Sequence, residues 1–314
     1  MTTSTQTINV ATPPVAPDTS ANENSGSHEV PPRRTPSRKR SSHFLKSSRL
    51  KLRTLQLSVF AAFLAIWWAI ARFSGIDPVI LPSPGSVFTE LIDGNRCVPT
   101  TPPSGSRDCG VQGYFLWQHL LATLERIAVG LSLGIAAGVL VGLVLSRSQA
   151  VRAVVEPYIS FLRSLPPLGY IGLLIVWFGV GDVSKVVLLF LATFPIITIA
   201  TLTGIIGIPQ DWNRAARTLG ATNSQVFRHV IVPGTLPGLI NGIRLANGMS
   251  WACIVAAEMN DGIPGIGGVA YVSGTQLETA LTIAAMILIG ITAVIVDQIL
   301  LFAERRLAPW HGKQ

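Results

Sequence analysis

The sequence predicts an all-α membrane protein with about six transmembrane helices. Hydrophobic residues make up 49% of the 314 residues, charged residues only 13%, and the mean hydropathy is +0.48. Uncharged apolar runs of about 20 residues, the length that crosses a bilayer, recur along the chain. Most of the 24 Lys and Arg residues fall in alternate connecting segments, which is typical of a multi-pass topology.

The spans follow from these runs. They are predicted at residues 54–71, 127–146, 164–181, 186–210, 234–257 and 279–296, the fifth interrupted only by Arg244. Placing most basic residues inside puts both termini in the cytoplasm. The net charge of +8 is then a topology signal. It does not indicate nucleic-acid binding, because no basic stretch is interleaved with aromatic residues.

Residues 1–52 are predicted to be a disordered basic cytoplasmic tail, since they are rich in Ser, Thr, Pro and Asn and cannot bury a core. The basic run 33–53 anchors the first span or, alternatively, lies along anionic lipid headgroups. The rest of the chain divides into the first span with an extracytoplasmic segment (53–112), a core (113–304) that contains a long connecting loop (207–235), and a cytoplasmic C-terminal tail (305–314).

The extracytoplasmic segment begins with a proline-fixed bend at residues 81–84, followed by a short helix at 87–92. Cys97 and Cys109 come next, 12 positions apart. In an oxidising compartment they form a disulfide that closes the loop, or they remain two free thiols. No His lies near them, so a metal site is not expected.

Two patterns concern helix packing. Gly130, Gly134, Gly138 and Gly142 recur every four residues, which places them on one helix face and predicts a tight seam with a second helix. Pro166 and Pro167 interrupt the third span and predict a kink. Such a kink lines a path in some membrane proteins and is purely structural in others.

The segment 211–238 is polar and basic, although it lies between two long apolar runs. Asp211 is expected to cap a helix start. Gly220 suits the left-handed position that ends such a helix, and residues 221–232 are expected to form a second helix that ends at Pro233. The result is a helix–Gly–helix loop facing water, and an ordinary amphipathic loop is the alternative.

Charged residues also fall within or beside spans. Arg244 and Asp297 each lie about 10 Å from the same membrane face by helix rise. Charges at such depth usually find partners, so the two are expected to pair; the alternative is that each reaches the interface separately. Glu258 precedes the glycine-rich stretch 260–268, which forms either a mobile turn near a permeation path or a stable structural turn.

These motifs together resemble a family, the type I ABC importer permeases of the nitrate/sulfonate/taurine group. The matching segments are LPSPGSV (81–87), HLLATLERIAVG (119–130), PPLGYIGLLIVWFGVGDVSK (166–185), AARTLGAT (215–222), VPGTLPGLINGIR (232–244) and AAEM (256–259). The segments LWQHL (116–120) and RRLAPWHG (305–312) are most similar to the taurine members. One residue departs from the pattern, since Arg214 stands where the family has Glu.

The resemblance implies a homodimer that works with two ATPase subunits inside and a solute-binding protein outside. It also implies that the loop docks on the ATPase. The docking residues would be Asp211, Arg214, Ala215, Ala216, Gly220 and Ala221, and the pathway candidates Arg163, Arg244, Ser250, Trp251 and Glu258. The sequence contains no GxxxxGK[ST] phosphate loop, so this chain is expected to be no enzyme and to need no cofactor.

The expected cargo is taurine or another alkanesulfonate, with nitrate or a pyrimidine precursor as alternatives in the same class. A proton-driven carrier is a different class, and it would need carboxylates or His at mid-bilayer. The five His residues fall outside the middle of the predicted spans. A membrane enzyme would need a metal cluster or a nucleophile–base pair, and the sequence suggests neither.

Overall fold

The structure is a computed structural model that describes residues 42–99 and 107–310. Most of the predicted N-terminal tail therefore lies outside the described residues. The chain divides into two units, residues 1–56 and residues 57–314, and the packing described below lies within the second unit.

The N-terminal half begins with a long helix and a short two-stranded ribbon. Its elements are α1 (Ser42–Phe73), α2 (Pro84–Asp93), β1 (Cys97–Pro99), β2 (Arg107–Cys109), α3 (Leu116–Arg147), α4 (Gln149–Ser164) and α5 (Ile171–Phe178). Helix α1 starts before the predicted tail boundary at residue 52, because no Pro or Gly interrupts residues 42–53. The strands pair antiparallel, with Cys97 opposite Cys109, and a disulfide joins these two cysteines.

The C-terminal half is helical. Its elements are α6 (Asp182–Ile206), α7 (Gln210–Thr218), α8 (Asn223–Val226), a π-helical turn (Phe227–Ile231), α9 (Val232–Asp261), α10 (Ile266–Thr275) and α11 (Thr279–Leu307). The all-α prediction is confirmed, the ribbon being the one exception within the described residues.

Four of the described helices are long and apolar enough to cross a membrane: residues 54–73 of α1, α3, α6 and α11. The pair α4 and α5, with the turn between them, gives a fifth span if it counts as one. Helix α9 occupies the remaining predicted span. It has 30 residues but is more polar than the others, because Arg244 and several Gly, Asn and Ser residues interrupt its apolar surface.

The third predicted span, 164–181, does not form a single helix. The predicted kink at Pro166 and Pro167 is a complete break between two helices. Helix α4 ends at Ser164, and a 3₁₀ turn at Pro167–Tyr170 leads into α5 with a bend of 88°. Leu165 and Pro166 are extended, with ψ of 129° and 121°. A residue that precedes proline is driven out of the helical region, so two consecutive prolines break the helix completely.

The predicted glycine seam is confirmed, and its partner is α6. Each glycine of α3 meets the residue 59 positions later, so that the two helices run parallel: Gly130 meets Leu189, Gly134 meets Thr193, Gly138 meets Ile197 and Gly142 meets Thr201. The buried threonine hydroxyls of this face donate to carbonyl oxygens one turn earlier in α6. No threonine hydroxyl of this face is therefore left without a hydrogen bond at the seam.

Helix α6 also packs against α9. Gly204 meets Thr235 and Gly242 meets Ala200, so these two helices run antiparallel. Small residues again let the backbones approach closely. Helix α6 is therefore the centre of the bundle, held on one side by α3 and on another by α9.

Overfilling the seam should disrupt the bundle. A Cβ atom at Gly142 would lie 2.6 Å from Thr201 Cβ. We expect Gly142→Leu to lower the free energy of unfolding by about 1–3 kcal/mol, since side chain or backbone must move to admit it. Thermal unfolding of the purified chain measures this. Gly290→Leu is the matched control, because Gly290 on α11 has no atom within 4 Å of a built Cβ. Equal unfolding temperatures for the two variants would contradict the seam.

Candidate docking loop and buried polar network

Helix α7 begins differently from the prediction. Its N-cap is Pro209, and Asp211 lies in the first turn, so the assignment of Asp211 as the cap was wrong. Proline suits a helix start because the first backbone N–H groups of a helix have no intrahelical partner. The Asp211 carboxylate lies 3.6 Å from the Arg214 guanidinium one turn later, and both side chains are exposed.

Gly220 ends this helix as predicted, with φ of +83°. The Gly220 amide donates to the Arg217 carbonyl, and the Ala221 amide donates to the Ala216 carbonyl at 3.1 Å. Thr222 then caps α8, its hydroxyl accepting from the Gln225 amide while the Gln225 side chain accepts from the Thr222 amide. This reciprocal pair starts the second helix without any tertiary contact.

The tip of the loop exposes apolar side chains. Leu219, directly before the turning glycine, is 89% exposed, and Trp212 on α7 is 46% exposed. Ala215 is exposed and Ala216 half-buried, so only small side chains stand at these two positions of the helix. Sequence reasoning missed Leu219 and Trp212, although apolar residues in a polar loop were the available signal. Such a surface fits an interface with another protein.

The sequence predicted that the second helix of the loop ends at Pro233, but the helix continues through this residue. Helix α8 has only four residues and runs through the π turn directly into α9, where Pro233 occupies the first turn. Proline is accepted there because its ring fits the starting φ and its missing N–H is not needed. The loop is thus joined rigidly to α9.

Arg244 of α9 forms a bidentate ion pair with Asp297 of α11. Arg244 Nε lies 2.8 Å from Asp297 Oδ1 and Nη2 lies 2.9 Å from Oδ2. Glu304, two turns further along α11, lies 3.8 Å from Arg244 Nη1. The side chains of Arg244 and Asp297 are 27% and 33% exposed, so solvent screens the pair only in part. The pair joins α9 to α11.

This pairing can be tested by a double-mutant cycle. We expect Asp297→Asn to destabilise the purified chain more in the presence of Arg244 than in an Arg244→Ala background, by about 1 kcal/mol of coupling. The reason is that Arg244 then loses its bidentate partner within the bundle and keeps only the more distant Glu304 carboxylate. Chemical unfolding in detergent gives the four free energies, and additive losses would exclude a coupled pair.

A second polar network is buried at the opposite end of α9. The Glu258 side chain is fully buried and accepts from Arg126 Nη1 at 2.6 Å, from the Thr123 hydroxyl at 2.9 Å and from the Gly267 amide at 2.9 Å. Arg126 Nε donates to Asp182 at 2.7 Å. The network therefore fastens α3, the start of α6, the end of α9 and the glycine-rich turn to one another.

His119 extends the network by one turn of α3. Its Nδ1 accepts from the Gly265 amide at 3.0 Å, so its Nε2 carries the hydrogen and donates to the Val111 carbonyl at 3.0 Å. The Thr123 hydroxyl also accepts from the Ile266 amide. Of the two alternatives for residues 260–268, these bonds support the stable turn.

Glycine is required in this turn for space. A Cβ at Gly265 would lie 2.6 Å from the Glu258 carboxyl carbon, and one at Gly267 would lie 2.7 Å from Val255 Cα. The turn therefore wraps directly around the carboxylate. Sequence reasoning missed His119, Thr123 and Arg126, whose spacing of four and three on one face of an apolar helix was the available signal.

The pathway candidates separate in the structure. Ser250, Trp251 and Glu258 are buried within the chain, and Ser250 and Glu258 are satisfied by internal hydrogen bonds. Their assignment as pathway residues stays a prediction. Arg163, in contrast, is exposed and lines a groove between α6 and α9. No metal-binding group of three His, Cys, Asp or Glu occurs within residues 42–99 and 107–310.

Comparison with known proteins identifies the family. Residues 133–310 match the model of the binding-protein-dependent transport system inner membrane component. The chain is 36% identical to the taurine transport system permease protein TauC of Escherichia coli K12 over 276 residues, 86% of this chain and 96% of TauC. It is 31% identical to the nitrate import permease protein NrtB of Synechococcus elongatus over 280 residues, 88% of this chain and 97% of NrtB.

The fold agrees with that match. A crystal structure of an amino acid ABC transporter superposes with a TM-score of 0.52 over 61% of this chain and 93% of its own, at 20% identity. The apolar helices and the exposed α7–α8 loop agree with the sequence matches. The chain therefore belongs to the family of binding-protein-dependent transport system inner membrane components and is an ABC transporter permease subunit.

Proposed function

We propose that this chain forms the membrane pathway of an ATP-driven importer for a small organic anion, with taurine or another alkanesulfonate as the cargo. The α7–Gly220–α8 loop is the observation that carries the mechanism. Its exposed tip offers a surface for an ATPase subunit, and the similarity to TauC supports the cargo class.

The loop is well placed to transmit motion. It is connected to α6 through a short link at Gly207 and continues into α9 without a break. These two helices also contact each other through small residues along their length. A force that displaces the loop would therefore move both as a unit, because tightly packed helices shift as rigid bodies.

The partners are those the family arrangement requires. A second copy of this chain completes the pathway, two ATPase subunits grip the paired loops, and an extracytoplasmic binding protein delivers the cargo. The distribution of Lys and Arg supports a cytoplasmic location for both termini and for the α7–α8 loop. ATP hydrolysis resides in the ATPase subunits.

The opposite face, which would meet the binding protein, carries an acidic cleft. Glu90 of α2 and Glu278 before α11 both line it. Partial burial raises the pKa of Glu90, and the nearby carboxylates of Glu278 and Asp93 raise it further. A basic surface on the binding protein would complement this cleft.

Arg163 is the residue we assign to the cargo. It lies at the end of α4 and lines a groove of about 560 Å³ together with Ala200, Gly204 and Gly242. Within the described residues no carboxylate lies within 4 Å of its guanidinium. A sulfonate keeps its charge at physiological pH, so an unpaired cation beside a mainly neutral groove suits it.

Nitrate is the second candidate cargo, because NrtB is also similar over most of its length. Both cargoes are anions that Arg163 would accept, so the groove does not separate them. Uptake distinguishes the two. Cells that lack their own taurine permease receive this chain with the ATPase subunit and the binding protein proposed to work with it, and labelled taurine and nitrate are supplied in turn.

We expect saturable taurine uptake that disappears when this chain alone is omitted. Unlabelled alkanesulfonates should compete, whereas nitrate should not. Uptake of nitrate without taurine would replace the cargo but keep the importer. Uptake that persists without any ATPase gene would contradict the proposed function as a whole.

A further inference from the structure

A cleft of about 470 Å³ lies beneath the α7–α8 loop. Two arginines from separate elements line it, Arg147 at the end of α3 and Arg217 on α7. Neither has a carboxylate within 4 Å in the described part of the chain, and no Asp or Glu lines the cleft. The cleft therefore has a positive field and two unused sets of guanidinium donors.

The other polar lining groups fit an anionic ester. Asn213, Asn223 and Ser224 supply an amide or hydroxyl group around the same space. The Asn213 Oδ1 atom is buried and has no hydrogen-bond partner among the described residues. A ligand here should thus combine anionic oxygens with at least one hydroxyl donor.

An apolar groove lies next to this cleft. Phe227 and Ile231 of the π turn line both spaces. The groove has a volume of about 190 Å³ and runs between α3, α6 and α9, with Leu143, Ile205 and Leu236 among its lining residues. Its surface is almost wholly hydrocarbon, so it suits an alkyl chain.

The position of the cleft and the groove in the membrane also indicates a lipid ligand. Helices α3 and α6 run parallel and are both long and apolar enough to span a membrane, and they end at Arg147 and Ile206. The charged cleft therefore lies where hydrocarbon gives way to headgroups, and the apolar groove lies on the membrane side of it. A free phosphate would use only the cleft, whereas a phospholipid uses both spaces.

We propose that this composite site binds an anionic phospholipid, with its phosphodiester between Arg147 and Arg217 and one acyl chain in the groove beside Leu143. A glycerol headgroup would supply the hydroxyl donor for Asn213 Oδ1. The bound lipid would connect the end of α3 to the α7–α8 loop. The inference goes beyond the proposed function and does not depend on which cargo is carried.

The test uses the full chain purified in detergent and transferred to nanodiscs of phosphatidylcholine that contain a small fraction of phosphatidylglycerol. Native mass spectrometry counts the lipids retained after the disc is released. We expect one tightly retained phosphatidylglycerol per chain. The double variant Arg147→Gln/Arg217→Gln should weaken this retention about thirtyfold, since each basic residue near an anionic membrane surface strengthens binding about fivefold and the two factors multiply.

Two controls separate the site from general charge and from misfolding. Arg228→Gln removes an exposed arginine of the same segment that does not line the cleft, and it should leave retention unchanged. Leu143→Trp fills the groove while keeping both arginines, and it should also reduce retention. This variant keeps the proposal testable if the double arginine variant does not fold.

Three outcomes would overturn the inference. One is equal retention of phosphatidylglycerol by the native chain, the double variant and Leu143→Trp. Another is displacement of the lipid by millimolar inorganic phosphate, which would assign the cleft to a free anion. The third is a double variant that keeps its lipid but loses a co-purifying ATPase subunit, which would make the cleft a protein interface. None of these results would bear on the cargo measured by uptake.

Discussion

Gly220→Asp is expected to abolish cargo uptake while the chain remains folded in the membrane. Gly220 has φ of +83° and no atom within 4 Å of a built Cβ, so the side chain would project into open space. The backbone cost for a non-glycine residue is about 1–2 kcal/mol and less for Asp, too little to unfold the bundle. The damage should fall on docking, because a charged side chain would project from the loop tip beside the exposed Leu219.

Gly220→Asn is the matched control. Asn has nearly the same size as Asp and also tolerates positive φ, but it carries no charge. We expect it to retain part of the uptake, and the difference between the two variants to measure the effect of charge at the docking surface. Membrane fractionation and gel filtration show whether each chain is folded. Normal uptake by a folded Gly220→Asp chain would exclude the loop as the docking element.

Arg126→Met is expected to give the largest loss of stability. It removes the cation that lies 2.6 Å from the fully buried Glu258 carboxylate. Breaking a buried ion pair from one side typically costs about 3–5 kcal/mol, because the remaining charge is left without compensation. The glycine-rich turn depends on the same carboxylate and should loosen with it. Thermal unfolding of the purified chain, with protease cleavage in the 260–268 turn as a second measurement, checks both effects.

Two further variants identify the cause. Adding Glu258→Gln to Arg126→Met should restore part of the stability, since the buried negative charge is then gone. Arg152→Met is the matched surface control, because Arg152 pairs with Glu156 at 3.5 Å where both side chains are partly exposed. That change should cost less than about 1 kcal/mol. A double variant that is less stable than Arg126→Met alone would mean that the hydrogen bonds of Glu258, and not its charge, hold the turn.

Much of this architecture was predictable because it is encoded locally. Apolar runs located the long helices, the four-residue glycine repeat predicted the α3 seam, and Gly220 marked the end of α7. Each signal depends on a few neighbouring residues and on helix periodicity. The wrong predictions also concerned single residues. Whether a proline starts or stops a helix depends on the turn before it, and Pro233 was misassigned because the conformation of that turn is not evident from the sequence.

The sequence alone therefore determined the class of protein, the order of its helices, the seam glycines and the water-facing loop. Only the tertiary structure decided that Arg126 meets Glu258, which lies 132 positions away, and that Arg147 and Arg217 share a cleft next to an apolar groove. The physical reason is that burial and charge pairing depend on which helix faces meet. That choice is made by packing along entire helices, so no short stretch of residues can specify it.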